Sequence, residues 1–237
     1  MIKDNVYDIL IIGGGISGSV FVSNYIKNNP NAKIALIEAG RKLGGRSSTR
    51  FSNRFKGWRL NHGSPNLNIC NKDNNILIRN FIEQLLKKNL IKLDDSDLTN
   101  LSEESNSNSL NNLIFSSGVC YSSTSSMSDL SKNIISINNL RNQIDFFFQT
   151  FIVDLKFNNN EWGITSQNGT KFKSKFLVCS SNLLLHKRSM QILNKDKIPL
   201  REAIPKNNEK RFDQLFNILD TNLLQICLFH KKFLLSN

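Results

Sequence analysis

The chain has 237 residues, 39% of them hydrophobic, and 31 basic against 19 acidic side chains give a net charge of +12. That length can bury a sizeable core, as one large domain or two small ones. The most suspect apolar stretch, Ile9 to Val22, is broken by glycines and too short to cross a bilayer, which argues against a transmembrane helix.

The same stretch makes a poor leader core, because Asp4 and Asp8 precede it and no small-residue cleavage site follows. The chain therefore reads as cytoplasmic. Cys70, Cys120, Cys179 and Cys227 form no CxxC pair and read as reduced thiols. His62, His186 and His230 have no metal-ligand spacing, so no metal is expected. Ten of the basic and three of the acidic residues lie within residues 1–60, which concentrates positive charge there. A basic surface can bind nucleic acid without sequence preference, but it reads as lacking both aromatic-basic interleaving and a recognised nucleic-acid module, so no specific nucleic-acid partner is expected.

In chain order, Val6 to Ile12 is a short apolar run suited to a strand buried on both faces. It passes into Gly13-Gly14-Gly15-Ile16-Ser17-Gly18, and Ser19 to Ile26 then reads as a helix. A second apolar strand, Lys33 to Ile37, ends at Glu38, twenty residues beyond Gly18. Strand, glycine-rich turn, helix, strand and acid are the order of a dinucleotide-binding β-α-β unit. Gly13 lets the chain turn sharply, Gly15 lets a pyrophosphate approach the backbone, and Gly18 lets the helix pack closely. The helix N-terminus offers amide protons and a positive dipole end to the phosphates. Glu38 suits the adenosine ribose, and its charge disfavours a 2′-phosphate.

Gly44-Gly45-Arg46 continues this region, with room for close backbone approach and a guanidinium for phosphate. Arg50, Arg54, Lys56 and Arg59 read as a solvated basic loop. Asn74 to Leu90 has the periodicity of an amphipathic helix, and Asp94 to Asn112 reads as a mobile polar loop. Ser126 or Ser128 is placed to cap a helix running through Ile135. Ile144 to Phe157 alternates like one long strand, with Phe146-Phe147-Phe148 as core packing. Asn158-Asn159-Asn160 and Gln167-Asn168-Gly169-Thr170 are turns, and they separate strands at Glu161 to Ser166 and Lys171 to Cys179. Those strands complete a three-stranded meander.

Glu38-Ala39-Gly40-Arg41-Lys42-Leu43-Gly44-Gly45-Arg46-Ser47-Ser48-Thr49 resembles the E-A-x-x-x-x-G-G-R-x-x-T signature of the FAD-dependent amine oxidase superfamily. Within it the chain is most similar to the renalase-like branch of NAD(P)/FAD-dependent oxidoreductases. Leu60-Asn61-His62-Gly63-Ser64 resembles that branch's F-D-H-G-A segment. Tyr121 to Leu130 resembles its Y-V-G-x-P-G-M-S-x-L segment without the glycine and proline. Thr150 to Leu155, Trp162, Asn168-Gly169 and Phe176 to Ser180 resemble its strand meander. The likeness covers roughly residues 5–195.

The resemblance implies an α/β protein: a Rossmann-like FAD-binding domain of the two-dinucleotide-binding type, with a β-meander and an incomplete substrate domain. Residues 1–70 would be the N-terminal part of the FAD-binding domain, 71–140 a partial substrate region, 141–195 the meander, and 196–237 an atypical tail. It implies noncovalent FAD held by Gly13, Gly15, Ile16, Ser17, Gly18, Glu38 and Ala39. Gly45, Arg46, His62, Gly63 and Ser64 would join them, with the Ile152 backbone against the adenine. NAD(P)H or a small amine-like molecule is the implied substrate. No residue stands out as a catalytic base. Family members close the site with a C-terminal G-D element, whereas Gly169 is the last glycine here, so the chain reads as C-terminally truncated. A non-catalytic nucleotide-binding relic is the alternative expectation, and a basic interaction protein a weaker one.

Overall fold

The computed structural model describes residues 6–61, 63–70, 75–94, 118–139, 141–181, 183–204 and 213–214. In chain order the elements begin with β1 (Val6–Ile12), α1 (Ile16–Asn28), β2 (Ile34–Ile37), β3 (Thr49–Phe51), β4 (Arg59–Asn61) and β5 (Leu67–Cys70). There follow α2 (Ile76–Lys87), β6 (Ile91–Leu93), β7 (Gly118–Ser123), α3 (Met127–Ser136) and β8 (Ile144–Phe147). The meander strands β9 (Ile152–Asn158), β10 (Glu161–Ser166) and β11 (Lys171–Cys179) come next, then the short helices α4 (Arg188–Leu193) and α5 (Pro199–Ala203). They divide into two compact units, one drawn from Met1–Gly14, Asn29–Lys42 and Asn142–Asn237, the other from Gly15–Asn28 and Leu43–Arg141.

The first unit is built on a six-stranded sheet in the order β8-β2-β1-β11-β10-β9. β8, β2, β1 and β11 run parallel, and β10 pairs antiparallel with both β11 and β9. The fold is thus mixed α/β with a largely parallel sheet. Leu10 stands opposite both Ala35 and Leu177, and Ile12 opposite Ile37 and Cys179. Every residue of β2 is buried, as expected of a strand covered on both faces. Leu10, Ile12, Ala35 and Ile37 share one core with Ile152, Leu155, Ile164 and Phe172. Phe147 meets Phe172 edge-on, with ring centroids 4.8 Å apart.

One expected element divides. The alternation from Ile144 to Phe157 predicts a single strand, but β8 ends at Phe147 and β9 starts at Ile152. Gln149 takes a left-handed φ of 51°. Its amide donates to the Gly40 carbonyl at 3.0 Å, and the Thr150 amide donates to the Glu38 carbonyl at 3.1 Å. Side-chain alternation survives such a kink, so periodicity alone does not reveal it. What breaks the strand is a set of backbone partners more than a hundred residues earlier in the chain.

In the second unit, β7 lies between β5 and β6 in an antiparallel sheet, and β3 pairs with β4 as a hairpin. α2 and α3 each bury one stripe: Ile82 and Leu85 from the first, Met127, Leu130 and Ile134 from the second, around Ile91. Asn75 caps α2 by accepting from the Leu77 amide at 2.9 Å. Of the two candidate caps for α3, Ser126 is the one that accepts, from the Asp129 amide at 3.2 Å. Most of the expected loop from Asp94 to Asn112 lies outside the described residues, as does most of the tail beyond Ile204.

Candidate functional site

In the first unit the glycine-rich turn is held from two sides. Gly13 has a φ of +110°, which an L side chain rarely adopts. A Cβ there would stand 2.7 Å from Ser180 Oγ and 3.0 Å from the Ser181 amide nitrogen. The Gly13 amide donates to the Ile37 carbonyl at 2.8 Å, and Ser180 Oγ donates to the Gly13 carbonyl at 2.7 Å. The turn is therefore pinned between the ends of β2 and β11.

Glu38 follows directly on β2. Its Oε2 accepts from the Gly14 amide and its Oε1 from the Gly40 amide, each at 2.7 Å. A carboxylate oxygen has a second lone pair, so both oxygens keep acceptor capacity for hydroxyl donors. Ala39 next to it is exposed. Ile152 is buried at the start of β9, opposite Ser166. Glu38, Gly13 and Gly14 are thus brought together.

In the second unit the two glycine motifs meet. Gly15 forms an isolated parallel bridge with Gly44. Gly45 has a φ of +53°, and a Cβ on it would fall 3.1 Å from Gly15 Cα. In the other direction, a Cβ on Gly15 meets nothing nearer than Gly45 Cα at 3.9 Å. Ile16, Ser17 and Gly18 form the first turn of α1, which contains no acidic residue. The leading amides of a helix have no intrahelical acceptor, so this turn can receive an anion. Ser17 is exposed and Gly18 is buried.

Arg46 is exposed on the loop after Gly45, and its own carbonyl accepts from the Ser64 amide at 2.8 Å. The Gly63 amide donates to the Ser48 carbonyl at 3.3 Å. A Cβ on Gly63 would overlap the Arg46 carbonyl oxygen. Gly63 is therefore required by this backbone contact. His62 lies outside the described residues.

Thr49 was not among the expected site residues, yet it joins three segments of the resemblance. It is buried, its Oγ1 donates to Asn61 Oδ1 at 2.7 Å, and the same atom accepts from the Ser128 amide at 3.2 Å. A Cβ on Gly44 would stand 3.2 Å from the Ser128 carbonyl oxygen, so this junction is closely packed. Its one sequence signal is the final T of the G-G-R-x-x-T pattern.

Burial pushes the Cys179 thiol up to about 12, which favours its protonated form. Tyr7 Oη donates to Asp145 Oδ2 at 2.8 Å, and burial together with that carboxylate raises its pKa. Among the described residues no group of three or more His, Cys, Asp or Glu side chains could hold a metal ion. No helix among them is long and apolar enough to cross a membrane.

Residues 11–85 match the family of NAD(P)-binding Rossmann-like domains. The match runs from within β1 through the glycine turn, Glu38 and the Gly44-Gly45 loop into α2. Over that stretch the chain is similar to a Rossmann-like domain. A search of curated protein sequences finds no match. Among solved structures, one similar chain is a protein assigned as a protoporphyrinogen oxidase from Exiguobacterium sp. 255-15. Identity is 11% and the TM-score 0.52, over 84% of this chain and 63% of that one, which is a likeness of fold. Another is the Diels-Alderase PyrE3 of pyrroindomycin biosynthesis, with 10% identity and a TM-score of 0.44 over 73% of this chain and 32% of that one. The chain spans less than two thirds of the length of either.

Proposed function

We propose that the chain is an FAD-dependent oxidoreductase of the renalase-like kind, exchanging hydride with NAD(P)H or a small amine-like substrate. The observation that carries this reading is the meeting of Gly15 with Gly44 and Gly45. A nicotinamide site needs only the first glycine motif. The second, followed by Arg46, belongs to the flavin signature that residues 38–49 resemble.

In this reading Glu38 accepts the hydroxyls of the adenosine ribose and repels a 2′-phosphate. The first turn of α1, from Ile16 through Gly18, receives the pyrophosphate, and Gly13, Gly15 and Gly45 leave it room. The Arg46 guanidinium adds a charge-assisted contact. Ala39, Gly63, Ser64 and the Ile152 backbone complete the set, together with His62. The bound flavin supplies the hydride-transfer chemistry, so this chain's residues need only hold and orient it.

The test is an absorption spectrum of the purified chain after incubation with excess FAD and desalting. A retained flavin band that Gly15→Val abolishes, with the variant still folded by circular dichroism, supports the proposal. Colourless protein that still binds ADP sinks the flavin reading and leaves a nucleotide-binding relic. Folded protein that binds neither overturns the nucleotide reading as well.

A further inference from the structure

We propose that the β3–β4 hairpin docks this protein onto anionic lipid surfaces. Its exposed side chains are of two kinds. Trp58 is 66% exposed, Phe55 58%, Leu60 55% and Phe51 54%, all within ten consecutive residues. Interleaved with them are the exposed bases Arg50, Arg54 and Lys56. No acidic residue occurs anywhere from Ala39 to Lys72.

The hairpin is well formed. Arg50 pairs with Leu60 and Phe51 with Arg59, and the Ser52 amide continues the pairing by donating to the Trp58 carbonyl at 3.0 Å. Ser52 Oγ accepts the Phe55 amide at 2.9 Å, and the Trp58 amide donates to the Phe55 carbonyl at 3.0 Å, which closes the tip. The Arg59 guanidinium donates to the Ser125 carbonyl and ties the base of the hairpin to the body of its own unit. The apolar tip is thus held out on a fixed stem. Scattered exposed hydrophobic residues need no explanation, but four large ones on one hairpin among bases do.

Strand alternation decides what can cover them. Successive pairs point to opposite faces, so Leu60 and Trp58 lie on one side and Phe51 on the other. A flat partner would cover only one face. A lipid interface surrounds a penetrating tip, taking Trp and Phe at headgroup depth while basic side chains reach back to anionic phosphates. A single-stranded nucleic acid would stack on open aromatic faces, whereas Arg54 already lies over the Phe55 ring, 5.5 Å from its centroid. A second copy would bring like charge against like. The chain's own last stretch, Thr221 to Asn237, adds Lys231 and Lys232 and no acid, and so offers no complement.

The experiment is co-sedimentation of the full chain with vesicles of equal parts phosphatidylcholine and phosphatidylserine, beside vesicles of phosphatidylcholine alone. Binding to the first, with a blue shift of Trp58 emission in a Trp162→Phe background, is expected. Replacing Arg50, Arg54 and Lys56 together by Gln should weaken it on the order of 100-fold. The pair Phe55→Ala and Trp58→Ala should abolish it while leaving the melting temperature unchanged, because both side chains are exposed. Absence of vesicle binding would overturn the proposal, as would binding that survives the aromatic pair. So would a salt-sensitive complex with oligo(U), or a dimer, that the aromatic pair abolishes in place of vesicle binding.

Discussion

Thr49 Oγ1 accepts the amide of Ser128 across the second unit at 3.2 Å, and so joins the glycine-arginine loop to the start of α3. The same hydroxyl donates to Asn61 Oδ1 at 2.7 Å, which leaves its one proton committed. Removing it strands two polar groups at a buried position. Thr49→Val keeps the shape and loses both bonds, and we expect a cost of about 1–3 kcal/mol in urea denaturation. Thr49→Ser should recover most of it. If Thr49→Val melts like the parent chain, the junction does not hold the loop.

Glu38 is predicted to serve the empty and the occupied turn alike. Its carboxylate accepts two backbone amides, and charge-assisted bonds of this kind are stronger than neutral ones. Glu38→Gln replaces one acceptor by a donor that faces an N–H. Isothermal titration with ADP should show affinity lower by at least about tenfold, in line with the loss of one charge-assisted bond. Unchanged affinity would exclude Glu38 from the ribose.

Gly13 and Gly15 are expected to respond differently to the same substitution. Gly13→Ala forces a side chain into a φ of +110° and against Ser180, so a loss of about 2 kcal/mol or more is expected. Gly15→Ala meets only ordinary contact at 3.9 Å. Its stability should stay within about 1 kcal/mol of the parent chain. Its ADP affinity should nonetheless fall, because the added methyl group would occupy the space proposed for phosphate. Thermal melts with and without ADP separate the two effects.

Acid should remove one surface contribution. Lys175 Nζ lies 2.8 Å from Asp8 Oδ1, and this bond, with the Lys33 amide on Oδ2, holds the Asp8 carboxyl below its ordinary 3.8. Because the folded-state value is depressed, the stabilisation is fully present above the unfolded value and is lost as pH falls through the folded one. The pair is well exposed, so less than about 1 kcal/mol is at stake. Asp8→Asn should be less stable by that small amount at neutral pH, and the difference should vanish in strong acid or shrink in high salt. A difference that persists below the carboxylate range would refute the pairing.

Much of the first unit was legible because its signals are local. The run Val6 to Ile12 is β1 as expected, and the meander strands at Glu161 to Ser166 and Lys171 to Cys179 have the expected bounds. Gly13 and Glu38 could be named in advance because a sharp exit from one strand and an acid at the end of the next leave a fixed spacing. Arg50, Arg54, Lys56 and Arg59 were legible as basic and solvated. Their place on a hairpin with exposed Phe51, Phe55, Trp58 and Leu60 was not, since a three-residue strand carries almost no periodicity.

What the sequence by itself determined is β1, α1, β2, α2, α3, β10 and β11, with the sharp turn at Gly13, because burial periodicity and φ preference act over a few residues. Only the tertiary structure decided that Gln149 breaks a strand, that Gly63 is small to clear the Arg46 carbonyl, and that Thr49 unites three distant segments. Each of those is a hydrogen bond or a steric contact between residues far apart in the chain. Such partners come within about 3 Å only after the sheets have formed and closed the intervening loops.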